Sequence, residues 1–149
     1  MKGIAAIATA VLATSTLAAA APLQRYAAPS FNGASAPFSK AVRVGDVLYM
    51  SGVIGRTADG KVPDGIEAQT TAAMNEIGTT LKTAGLSYGD LFHCTVFLAD
   101  MKTWPAFNKV YVGYFPAGQL PARSAVGVTA LALSGALIEI ECQAYAGKK

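Results

Sequence analysis

The chain has 149 residues, 52% of them hydrophobic and only 14% charged, with a formal net charge of +3 from 12 Lys+Arg against 9 Asp+Glu. That is enough for one domain with a real core and too little for two, and the hydrophobic share excludes a disordered chain. The charges are scattered, with no basic block or Lys/Arg stripe, so nothing favours nucleic acid as a partner.

The first stretch, "MKGIAAIATAVLATSTLAAA", is a separate object. Lys2 supplies a charged n-region, Ile4 to about Leu17 an apolar h-region, and "AAAAP" the small residues that a signal peptidase reads. The run is alanine-rich and short for a membrane span. We expect residues 1–20 to be a signal peptide cut after Ala20. The mature protein is then exported, periplasmic or secreted, and free of the membrane. Export permits disulfides. Cys94 and Cys142 both fall in stretches that read as buried strand, and their spacing leaves a bridge and two free thiols equally open. Two cysteines with a single histidine make no metal site.

"APLQRYAAPSFNGASAP" is rich in Ala, Pro and Ser, and residues 21–35 read as an extended leader before a single domain at 36–147. "AVRVGDVLYMSGV" reads as two strands around the turn pair Gly45-Asp46. "IGRTADGKVPDG" is a loop. From Ile66 to Ala84 the apolar residues Ile66, Ala73, Ile77, Leu81 and Ala84 recur at helical spacing, with Gly85 as the stop. "DLFHCTVFLAD" alternates like a strand. Asp100 is placed to cap a second helix, whose stripe runs through Trp104, Phe107, Tyr111, Tyr114 and Phe115. Pro105 sits near its start, and Pro116 and Gly118 end it. Strands at 122–129 and 136–146 follow. The order β-β-α-β-α-β-β predicts an α+β domain, a mixed sheet with two helices packed on one face.

The last strand, within "LIEIECQAYAG", divides cleanly. Ile138, Ile140, Cys142 and Ala144 are expected to face the helices, and Glu139, Glu141, Gln143 and Tyr145 the opposite side. Phe97 is expected on that second side too. A face that mixes carboxylates with an aromatic suits contact with another subunit, so an oligomer is expected.

Few residues can carry polar chemistry. His93 is the only histidine and lies in no nucleophile motif, and "SGVIGR" lacks the lysine and spacing of a phosphate loop. Arg123, Glu139, Glu141 and Asn108 remain. A guanidinium can grip a carboxylate through two parallel hydrogen bonds. A glutamate with a raised pKa can activate water. Anchor plus base, with neither metal nor nucleophile, suits hydrolysis of an already electrophilic imine. On residue types alone, Arg123 with a strand glutamate equally suits an interface ion pair.

"PARSAVGV" followed by "IEIECQAYAG" resembles the paired C-terminal strands of the Rid (YjgF) family of reactive-intermediate deaminases. "VLYMSGVIG", "AQTTAAMNEIGTTLKTAGLSYGDL", "CTVFLADM" and "FNKVYVGYF" agree in order, and the resemblance covers about residues 36–147. It implies a chorismate-mutase-like (YjgF-type) fold and a homotrimer with ligand clefts between subunits. It implies hydrolysis of 2-imino acids to 2-keto acids and ammonia without a cofactor. Carried over by residue, Arg123 matches the substrate-carboxylate anchor and Glu139 the glutamate that positions or activates water. Asn108 matches a helix asparagine near the cleft, and Ser51 and Gly52 match the "SG" segment that lines it.

Three positions depart from the pattern. Phe38 stands where the deaminases usually carry a tyrosine, Ala125 where a cysteine usually follows "PARS", and Val53 where glutamine is frequent. Together they make the cleft more apolar. That implies either a shifted substrate preference or a non-catalytic trimer that binds a small carboxylate or serves a structural role.

Overall fold

The computed structural model describes residues 21–30, 34–57 and 59–147. The expected signal peptide at residues 1–20 lies outside the described residues. Among these, the elements in chain order are β1 (Leu23–Ala27), β2 (Ser39–Val44), β3 (Val47–Met50), β4 (Val53–Ile54), α1 (Ile66–Thr83), β5 (Leu91–Leu98), α2 (Trp104–Tyr111), β6 (Ala122–Gly127) and β7 (Ile138–Tyr145). The strands form one sheet in the order β1-β2-β3-β7-β5-β6, and β4 also pairs with β7. Only β5 and β6 run parallel; the other pairings are antiparallel. The sheet is therefore mixed, and both helices lie on one face of it, as the element order predicts.

Alternation places the core. Ile138, Ile140, Cys142 and Ala144 of β7 are at most 1% exposed and meet Cys94, Val96 and Leu98 of β5, all fully buried. Ile66, Ala73, Met74, Ile77 and Leu81 of α1 and Phe107 and Tyr111 of α2 close over them. The helix stop at Gly85 has a clear mechanism. Gly85 takes a φ of 74°, its N–H reaches the Lys82 carbonyl, and the Leu86 N–H reaches back to Leu81 at 2.8 Å. These two bonds satisfy carbonyls that the last helical turn leaves open. Asp100, expected to cap α2, instead caps the 3-10 turn at Met101–Thr103 that leads into it, its Oδ1 accepting the Lys102 N–H at 2.9 Å; α2 itself starts after Thr103 with no side-chain cap. Short 3-10 turns at 101–103 and 112–114 flank this helix.

Two features go beyond the sequence expectations. Residues 23–27, inside the segment read as a leader, form β1 and pair with β2, Leu23 opposite Val44 and Tyr26 opposite Ala41. The second is the bond between Cys94 and Cys142, which sequence spacing left open. The β5–β7 register sets the two residues directly opposite each other, with Cα atoms 4.1 Å apart, and they are joined as a disulfide. The covalent ring spans a sequence separation of 48. Closing a ring of that size restricts the unfolded chain by up to about 4 kcal/mol.

Gln69 ties the loops on either side of the sheet to α1. It is 1% exposed and fully used. Its Nε2 donates to the Pro63 and Gly135 carbonyls at 2.9 Å each, and its Oε1 accepts the Leu137 N–H at 2.7 Å. Gly55 passes so close to the Gln69 backbone that a Cβ there would overlap it. Replacing Gln69 by Ala removes the partner of three part-buried backbone groups, which water can reach in part, at about 1–3 kcal/mol each at most. We expect Gln69→Ala to lower the unfolding free energy by about 2–4 kcal/mol in urea titration, with the denaturant slope unchanged.

Candidate active site

Arg123 lies on β6, the edge strand, in register with Cys94. Cys94 faces the helices, so Arg123 does too. Its Nη2 donates to Asn108 Oδ1 at 2.9 Å. Its guanidinium carbon stands 4.5 Å from the ring centre of Trp104, 4.6 Å from that of Tyr111 and 5.4 Å from that of Phe107. The helical spacing of α2 makes this possible, because positions 104, 107, 108 and 111 share one face. The cation rests on aromatic faces, which attract it and keep water off one side of it. The small residues of "PARSAVG" leave room for the stack. Ala125, two residues along, shares the same face and packs against the core.

Tyr111 adds an unusual feature. It is 1% exposed, and among the described residues its hydroxyl makes no well-aligned hydrogen bond. Burial pushes its pKa up to about 12, against the pull of the neighbouring Arg123 charge. The ring therefore stays neutral and serves the guanidinium as an aromatic face. Asn108, Tyr111, Val112, Leu120, Pro121 and Arg123 line a cleft of about 250 Å³. That volume suits a small molecule.

Glu139 is elsewhere. It sits between the fully buried Ile138 and Ile140, so its side chain points to the face away from the helices, opposite Phe97. Gly52 lies directly beneath its carboxylate; a Cβ at position 52 would collide with Glu139 Oε1. Pairing of Val53 with Ile140 and of Ile54 with Glu139 holds that segment in place. The Ser51 hydroxyl donates to the Ser39 carbonyl at 2.7 Å, which draws the segment of Phe38 alongside. Phe38 itself is 59% exposed. Burial, with the like charge of Glu141 two residues on, holds the Glu139 carboxyl above its ordinary value. A glutamate so placed is a better proton acceptor than one in water.

The expected site residues thus divide into two groups. Arg123, Asn108 and Ala125 stand on the helical face at the edge of the sheet. Glu139, Gly52, Ser51 and Phe38 gather on the other side. Within one chain the anchor and the base do not meet. The aromatic seat of Trp104, Phe107 and Tyr111 was read in the sequence only as a core stripe. The signal for its second role was Asn108 set among three aromatics on one helical face.

Comparison with known proteins agrees with this fold. The family profile described as Endoribonuclease L-PSP matches residues 28–146. Reactive Intermediate Deaminase A, chloroplastic, of Arabidopsis thaliana is 39% identical over 108 residues; that match covers 71% of this chain and 57% of the relative, so the chain spans little over half of it. The 2-iminobutanoate/2-iminopropanoate deaminase of Mus musculus is 38% identical over 113 residues, covering 74% of this chain and 82% of the relative. The crystal structure of yeast Mmf1 superposes with a TM-score of 0.75 at 32% identity, covering 85% of this chain and 100% of that one. With its mixed sheet, its two helices on one face and the two C-terminal strands carrying Arg123 and Glu139, which flank β5 instead of pairing with each other, the chain belongs to the endoribonuclease L-PSP family, the YjgF or Rid family that its motifs resemble.

Proposed function

We propose that the protein is a hydrolase of reactive 2-imino acids, releasing 2-keto acids and ammonia, and that it works outside the cytoplasm. The observation that carries this reading is the state of Arg123. It is half-buried, seated on three aromatic rings, bonded to Asn108 and open to a small-molecule cleft. A guanidinium held in that way is a carboxylate anchor. Deaminases among the relatives act on compounds whose common feature is a carboxylate beside a C=N bond, as the mouse protein's name states. The closed Cys94–Cys142 disulfide supports a location in an oxidising compartment, as does the signal-like "MKGIAAIATAVLATSTLAAA".

The chemistry asks little of the protein. A protonated 2-imino acid is already electrophilic at the imine carbon. Glu139 accepts a proton from water as the oxygen adds to that carbon and the C=N electrons move to nitrogen. Glu139 returns that proton to the carbinolamine nitrogen and then takes the hydroxyl proton as the C=O bond forms and the C–N bond breaks, and the departing ammonia carries that proton off as ammonium. Arg123 fixes the carboxylate, so that attack becomes effectively unimolecular. Because Arg123 and Glu139 point away from opposite faces of one sheet, this reading needs the anchor of one copy beside the base of a neighbour. A homotrimer with clefts between subunits supplies that arrangement.

The endoribonuclease of the family's description fits this chain less well. RNA binding rests on neutralising several phosphates at once. Here the cations are dispersed along the chain, and the cleft holds a single guanidinium, beside Asn108, Tyr111, Val112, Leu120 and Pro121.

Two measurements test the proposal. Keto-acid release is followed from an imine generated in situ by an amino-acid oxidase. Arg123→Ala is expected to lower kcat/KM by about 10²–10³-fold, the loss of a bidentate charged contact, with oligomer size unchanged by light scattering. If the variant instead loosens the oligomer, Arg123 is an interface ion-pair residue. Carboxylate binding without turnover would leave a non-catalytic binder. The second measurement is the pH profile. Since Glu139 must be ionised to take the proton and its pKa is raised, the rate is expected to grow with pH through an acid limb above the ordinary glutamate value of about 4.3. Glu139→Gln is expected to cut kcat by about 10²–10⁴-fold and to erase that limb.

A further inference from the structure

The cleft beside Arg123 has an apolar wall that the deaminase chemistry does not use. Leu120 is 60% exposed and Val112 is 42% exposed, and both line the same cleft as the guanidinium, with Pro121 between Leu120 and the start of β6. Large aliphatic side chains left in water beside a cation gain nothing from the cation. They gain from an apolar group laid over them. The cleft's volume of about 250 Å³ is room for roughly eight waters at ~30 Å³ each, far more than a carboxylate and a methyl group fill.

The geometry points to Leu120 and Val112 as the seat of the substrate's side chain, which makes the protein selective for 2-imino acids with branched or aromatic apolar side chains. This rests on the imine-hydrolase reading above and goes beyond it by naming the substrate class. In a 2-imino acid the carboxylate, the imine carbon and the side chain are contiguous. A carboxylate on Arg123 therefore sets the side chain against whatever borders the guanidinium. On one side that is the aromatic seat, already covered by the cation. On the other it is Leu120, Pro121 and Val112. The wall carries no charge, so an acidic side chain would lose its hydration there without a partner. Each methylene moved from water onto such a surface favours binding by about fourfold.

The test compares the imines of leucine, phenylalanine, alanine and glutamate, each made in situ by an oxidase. The readout is the ratio of kcat/KM for the leucine imine to that for the alanine imine. We expect wild type to favour the leucine and phenylalanine imines over both others. Leu120→Ser is expected to lower the leucine-to-alanine ratio about tenfold through KM, and Leu120→Met to keep it. Val112→Ser serves as an independent second variant, with the ratio falling in the same direction. An unchanged ratio in both serine variants would overturn the assignment, as would a wild-type preference for the alanine or glutamate imine. Dissociation of the oligomer in Leu120→Ser would also overturn it, because Leu120 would then be buried against a neighbouring copy. If wild type accelerates none of the imines, it is the hydrolase reading that fails, and the two failures are told apart by the alanine imine alone.

Discussion

Successive residues of a strand point to opposite faces, and that constraint orders everything at this site. Arg123 shares a row with Cys94 and Cys142 on the helical face, whereas Glu139 shares one with Phe97 on the other. No side-chain rotation moves either through the sheet. The two groups on which the proposed imine hydrolysis rests are therefore separated by the backbone layer that makes the fold stable. A neighbouring copy is the simplest way to reunite them, which would make assembly a condition of chemistry.

The two half-sites are held by different physics. Arg123 depends on side chains of α2: rings of Trp104, Phe107 and Tyr111 at stacking distance and one hydrogen bond that it donates to Asn108. Among the described residues the Tyr111 hydroxyl is buried beside the Arg123 charge with no well-aligned hydrogen bond. Glu139 depends on backbone. Gly52 gives way beneath it, β4 pairs along it, and its carboxyl is left half-buried with Glu141 for a neighbour. Raising a base by burial and seating a cation on aromatics are both ways of limiting water, applied on opposite sides of one sheet.

Much of this was legible in the residues. The alternation of "LIEIECQAYAG" assigned both faces of β7 correctly, and the stripe from Ile66 to Ala84 marked α1 to within a residue of its end. What escaped depends on long-range pairing. In β1 only Tyr26 is partly buried, so "LQRYA" carries no clear period; its hydrogen bonds to β2 make it a strand. β4 is two residues long and has no pattern to read. The disulfide follows from the β5–β7 register, which spacing along the chain does not encode. The residue types of the site were readable because chemistry restricts them. Their division between two faces was implicit in parity, since Arg123 and Glu139 lie on different strands and only the register relates them.

The disulfide has a topological consequence for the anchor. Residues 94 and 142 close a ring of chain that contains α2, the loop to β6 and β6 itself, and so Asn108, Leu120 and Arg123 together. The exposed stretch at 116–120 is the part of that ring most open to a protease. A cut there would open the ring without separating its pieces. Both new ends would stay tethered through the sulfur bridge to the two central strands, and the anchor half of the site would outlast the loss of an unbroken backbone.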